Sequence, residues 1–217
     1  RDRATELFRK VIENCNDDGI KANAVEGIVQ CLPEKGENSE AMHYAELFPQ
    51  SEFDSGRREE LIVSCLTGEA RAARREELLM KKFESLLRYL DLNVKAGRET
   101  ARKMIELFFP DGKYYRLNDS MRTIALADAR ADISAGKLDE AVGHMKEARR
   151  YAEKLDELDS RGEYNYSSPL FSRVKEDPAD WCKTGDTTSV DDYLALFEWP
   201  AYAPLKQHKE YEQLIKR

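Results

Sequence analysis

Helix breakers are scarce in this chain: 7 prolines and 11 glycines stand among 217 residues. So few interruptions leave long stretches free to be helical, and they speak against a sheet protein with its many tight turns. Long apolar runs are lacking as well. None approaches the roughly 18 residues that cross a membrane, and no signal-peptide pattern is present. The four cysteines, Cys15, Cys31, Cys65 and Cys182, form no CxxC pair, so the usual zinc and thioredoxin-type spacings are excluded. They fit thiols kept reduced, and a cytoplasmic location is the expectation. Positive charge is in deficit: 35 Lys and Arg face 42 Asp and Glu, a net charge of −7. A domain that grips duplex DNA gathers positive charge, so this chain is not expected to hold nucleic acid by itself.

Catalytic signatures are missing too. There is no GxxxxGK phosphate loop, no GxSxG elbow and no GxGxxG turn. His43, His144 and His208 share no HxxxH or HExxH spacing, so no metal is expected on them. "NCNDDG" places Asn14, Asn16, Asp18 and Gly19 at positions 1, 3, 5 and 6 of a calcium loop, yet position 12, which needs a bidentate glutamate, is Val25. A polar loop between helices is the simpler account. No enzyme and no cofactor are expected from these residues.

What the chain has is Glu, Lys, Arg, Leu and Ala arranged with helical period, and an all-α fold follows. Helices are expected over 3–14, 19–32, 39–48, 56–66, 69–95, 100–109, 119–135 and 137–159, with short ones near 189–198 and 204–216. In the longest, Leu79, Phe83, Leu86, Leu90 and Val94 keep one face, and Gly97 stands at its end. Residues 160–188 carry Pro, Gly, Ser and aromatics without a period. The reading is therefore a helical domain over 1–159, with 160–217 as an irregular segment and short capping helices packed on it. Tyr164, Tyr166, Phe171, Trp181, Tyr193, Phe197, Trp199, Tyr202 and Tyr211 crowd that last third and are expected to cap the helical array.

Three segments resemble one another: "KGENSEAMHYAELFP" (35–49), "AGRETARKMIELFFP" (96–110) and "AGKLDEAVGHMKEAR" (135–149) each set a glycine before an alanine. Alanines at 141, 148 and 152 lie on one helical stripe, where a neighbouring helix can approach closely. Ala129, Gly136, Ala141 and Ala148 occupy the small positions and the turn of a tetratricopeptide unit, a helix–turn–helix of about 34 residues; Val29, Gly36 and Ala41 offer a second set. Asp132 stands where that family has an aromatic. The chain thus resembles tetratricopeptide (TPR) proteins, which implies hairpins stacked as a short solenoid.

A broader resemblance rests on "EKGENSEAMHYAELFPQS", "REELIVSCLTGEARAARREELLMKKFESLL", "YNYSSPLF" and "PLKQHKEYEQLIKR". With these the chain resembles the C-terminal region of Xre/Cro-type helix-turn-helix regulators of Gram-positive bacteria. That resemblance implies a regulatory domain binding a partner protein, a peptide or its own copy, with DNA contacted only through a domain upstream of Arg1 and no membrane involved. Aligned on the repeat, the first-helix face that meets a partner would comprise Asn23, Glu26 and Gln30, then Glu84, Leu87 and Asp91, then Leu126, Arg130 and Ile133. An enzyme assembled from dispersed residues and a purely structural scaffold remain open as alternatives on the sequence.

Overall fold

Among the residues that the computed structural model describes, 2–49, 56–158, 162–180 and 187–216, nearly all regular structure is helical. The protein is an all-α fold with a C-terminal aromatic cluster. None of these helices is long and apolar enough to cross a membrane. Contacts divide the chain into two compact units, Arg1–Lys81 and Lys82–Arg217. The boundary expected at 159/160 lies outside the described residues, as do Trp181 and Cys182.

The first unit holds α1 (Asp2–Asn14), α2 (Asp18–Cys31), α3 (Asn38–Glu46) and α4 (Arg57–Cys65). Asp17 begins α2 as its N-cap, its carboxylate accepting from the Ile20 amide at 2.9 Å. The calcium-like loop is thus a helix cap, and Val25 is buried in the core beside Ile28, Leu32, Ala41, Ala45 and Leu61. A Cβ on Gly27 would fall 2.4 Å from the Phe8 ring, so glycine is what lets α1 lie against α2.

The helix α5 (Gly68–Tyr89) stops earlier than its periodicity predicts, and α6 (Lys95–Phe108) begins before Gly97. Local polar chemistry overrides the apolar pattern here. The Asp91 carboxylate accepts from the Asn93 amide at 2.9 Å and from its side chain at 3.0 Å, which turns the chain. Arg98 then closes the turn by donating to the Leu92 and Asn93 carbonyls at 2.9 and 3.1 Å. Gly36 and Gly136 follow the end of the helical stretch before them and lie in the left-handed region, at φ 79° and 73°. Gly97 is a different device: it sits inside α6, where a Cβ would lie 2.0 Å from the Asp91 carbonyl oxygen. The middle look-alike segment shares composition with the other two and not their geometry.

α7 (Leu117–Ser134) and α8 (Leu138–Leu158) form a hairpin joined at Gly136. Ala125, Ala129, Ala141, Ala148 and Ala152 are all fully buried along it. Beyond α8, a two-residue antiparallel ladder joins β1 (Tyr164–Asn165) to β2 (Lys175–Glu176). α9 (Ser189–Ala195) starts at a Thr188–Asp191 capping box and is anchored on α8 by Asp156, which accepts from the Ser189 and Val190 amides at 2.7 and 3.0 Å. The helix expected from 204 is instead 3₁₀ backbone over 200–207, followed by the single α-turns of α10 (Tyr211–Ile215). Pro204 removes one amide donor within that stretch, which suits the tighter coil.

The aromatics separate into two groups. Tyr193, Phe197 and Tyr202 join Leu205 and Leu214 on the alanine stripe of α7 and α8. Tyr166 and Phe171 pack with Phe83, Phe108 and Phe109, the Phe109 and Phe171 rings stacking at 5.3 Å. Trp199 stays largely exposed and belongs to neither.

Candidate functional site

In the second unit, the last turns of α5, the middle of α6 and the first turns of α7 enclose a cavity of about 340 Å³. Helical spacing selects what faces it: Glu84, Leu87 and Arg88 from α5, Ala101 and Ile105 from α6, and Leu117, Ser120, Thr123 and Ile124 from α7. Leu90 and Leu92, in the α5–α6 turn, complete an apolar floor. Charged and hydroxyl groups are confined to Glu84, Arg88, Arg116, Asp119, Ser120 and Thr123. Apolar walls with a few convergent polar groups are the usual make-up of a small-molecule site.

Arg116 enters this cavity at the N-cap of α7, straight after a strained residue. Tyr115 has φ 46°, the one positive φ among the described non-glycine residues. That conformation costs on the order of 1–3 kcal/mol and needs its surroundings to hold it. They do so: the Tyr115 hydroxyl donates to the Asn165 carbonyl at 3.1 Å, its ring contacts Tyr164 and Tyr166 at 5.0 Å, and the Asn118 amide donates to its carbonyl at 2.8 Å.

The Arg116 guanidinium pairs with Glu84 and lies 3.5 Å from Glu176 of β2, which in turn accepts from the Tyr166 hydroxyl at 3.3 Å. Arg116 thus bridges the two carboxylates. Burial pushes the Glu84 carboxyl above the ordinary glutamate value and the charge of Glu176 adds to it, while Arg116 and Arg88 oppose the shift. Burial likewise drives the Tyr166 phenol far up, with Glu176 reinforcing it.

A second ionic cluster joins α6, α7 and α8. Arg98, buried, pairs with Asp128; Arg102 reaches Asp128 at 3.2 Å and Glu147 at 2.7 Å. His144 lies 3.4 Å from Asp132 and 3.7 Å from Glu147 on the flank of this group. Among the described residues, no three His, Cys, Asp or Glu side chains converge as a metal site.

The nine residues expected to face a partner fall into different surroundings. Glu84 and Leu87 are brought together in the cavity wall. Asp91 is spent on the turn beyond it. In the first unit, Gln30 lines a separate cleft of about 280 Å³ with Arg57, and Glu26 is engaged by Arg57 at 2.7 Å; Asn23 is exposed outside that cleft. Leu126 and Ile133 pack against the C-terminal aromatic cluster, so the expected open groove there is filled by the chain's own tail. Arg130 remains exposed, near enough to act electrostatically on Tyr202. Sequence reasoning passed over Arg88, Arg116, Ser120 and Ile124. No local signal marks them, because the start of α7 meets the end of α5 only through packing, as the Arg116–Glu84 pair shows.

No protein-family model, no curated protein and no solved structure matches this chain.

Proposed function

We propose that this chain is the regulatory, interaction-competent part of an Xre/Cro-type transcriptional regulator, built on TPR-like hairpins and acting in the cytoplasm. It binds a ligand, peptide or protein partner, or its own copy, and reaches DNA only through a domain outside these 217 residues. The observation that carries the reading is the α7–α8 hairpin, whose alanines are fully buried along the contact and whose turn is a left-handed glycine. The adjoining cavity supplies a place for an effector. The net charge of −7 supports a role apart from the DNA contact itself.

A proton-transfer enzyme would rest on the raised carboxyl of Glu84. The other carboxylate of the same wall, Asp119, is held by Arg122 at 2.7 Å and so is not poised against it as a second acid or base. Binding is therefore the better account of the cavity. The test is to read the coding sequence upstream of Arg1 and compare duplex-DNA retardation by the full-length protein and by the 217-residue chain. A basic helical domain upstream, with retardation by the full-length protein alone, is the expected result. Steeply salt-dependent retardation by the 217-residue chain would overturn it.

A further inference from the structure

We infer that the α5–α6–α7 cavity is a seat for a small apolar monocarboxylate, held by its carboxylate at Arg88 and Ser120 with its hydrocarbon chain on the leucine–isoleucine floor. This rests on the reading of the domain as effector-binding and supplies the effector's chemistry. Size comes first. The cavity's room of about 340 Å³ far exceeds the ~10–15 Å³ that a single water needs on the same measure. A medium-chain acid is therefore small enough to enter. Its open apolar surface comes from half-buried Leu90 and Leu92, with Leu87, Ile105, Leu117 and Ile124 buried beneath them, and offers no polar partner to a second functional group.

Charge then decides the sign of the head group. Both lining carboxylates are already engaged, Glu84 by Arg116 and Asp119 by Arg122 at 2.7 Å. Arg116 is itself shared between Glu84 and Glu176. Arg88 is the lining cation that has no ion pair among the described residues, acting on Glu84 only from beyond ion-pair distance, and the Ser120 hydroxyl of the same lining has no hydrogen-bond partner among them. An ammonium would meet an unpaired guanidinium; a carboxylate completes it with a charge-assisted hydrogen bond. Two sources of such a head group exist, a free acid or the C-terminal carboxylate of a peptide ending in an apolar residue, and both present the same chemistry to Arg88.

Calorimetry on the 217-residue chain with octanoate, octan-1-ol and octylamine tests this. Octanoate is expected to bind with a Kd on the order of 0.1 mM, octan-1-ol at least tenfold more weakly and octylamine not at all. Arg88→Gln should weaken octanoate about tenfold and leave octan-1-ol unchanged, with Arg88→Lys recovering part of the loss. Arg88 is exposed, so these variants keep the fold. Ser120→Phe should abolish both by filling the mouth. A tripeptide ending in leucine that binds more tightly than octanoate, with the same Arg88 dependence, would assign the carboxylate to a peptide. Equal binding of octanoate and octan-1-ol, octanoate binding indifferent to Arg88→Gln, or no binding of any probe would overturn the seat. Loss of the seat with DNA retardation by the full-length protein intact would leave the regulatory reading standing. Octanoate binding by a full-length protein that lacks a DNA-binding domain would do the reverse.

Discussion

The two guanidinium clusters of the second unit are built from the same chemistry and end up as opposites. Where α6, α7 and α8 meet, two arginines, Arg98 and Arg102, face two carboxylates, Asp128 and Glu147. Arg98 is only 6% exposed, and its remaining donors close the α5–α6 turn. At the cavity, Arg116 meets both Glu84 and Glu176, and its side chain is 43% exposed. A buried cluster between packed helices acts as a fastener, because its groups lose partners if the helices part. A half-exposed cluster beside a cavity holds a carboxyl whose proton affinity is raised, so it can respond to pH or to another charge.

The comparison breaks most visibly at Arg98. Arg98→Ala leaves Asp128 with one guanidinium and two turn carbonyls without their donor, and a loss of about 3–5 kcal/mol is expected. Urea unfolding at constant slope measures it; a loss below about 1 kcal/mol would make the two clusters energetically alike.

The hairpin that carries Asp128 and Glu147 depends on its alanines. Ala141→Leu forces three extra carbons into a filled contact and should cost about 1–3 kcal/mol, whereas Glu140→Leu on the exposed side should stay within about 0.5 kcal/mol. Lys146 is a poorer outer-face control than its place on the helix suggests, because it pairs with Glu210.

Two helical glycines sharpen the contrast between a fastened and an open position. Gly143→Ala, with nothing within 4 Å of the new Cβ, should raise stability by about 0.8 kcal/mol. Gly97→Ala should lower it despite the same propensity gain, because the Cβ meets the Asp91 carbonyl under Arg98. Thermal melts of the pair are the check, and shifts of the same sign would show that the turn yields easily.

The smallest effect belongs to the cavity cluster. Because Glu84 binds its proton more tightly folded than unfolded, the folded state holds more protons above the ordinary glutamate value of 4.5. Its contribution to stability is therefore greatest below that pH and is lost as pH rises through the folded value. The stability of the native protein relative to Glu84→Gln should fall from pH 4.5 towards neutrality. A difference that is flat or rises with pH would place Glu84 among the fastened carboxylates.

How much of this was legible beforehand differs by region. The first four helices and the α7–α8 hairpin follow from apolar spacing, Gly36 and Gly136, since periodicity and left-handed glycines are local properties. Gly97 misleads for the same reason: its role is a contact with Asp91, and a glycine needed for close approach looks in sequence like one needed for a turn. Of the nine residues aligned as a partner face, Glu84 and Leu87 reached the cavity, while Leu126 and Ile133 met the chain's own tail. A first-helix face is open only if nothing later in the chain packs on it, and that is a long-range matter.

Composition and spacing by themselves determined an acidic, nearly all-helical chain with small residues at one close helix contact. Tertiary structure alone decided that Glu84, Arg116, Glu176 and Tyr166 come together beside a cavity, and that Arg88 is left without an ion pair among the described residues. Helix formation depends on neighbours three and four residues apart, which a sequence displays. Charge pairing depends on which groups become neighbours across 30 residues or more, as Arg116 and Glu84 do at a separation of 32, and that distance is set only when the helices pack.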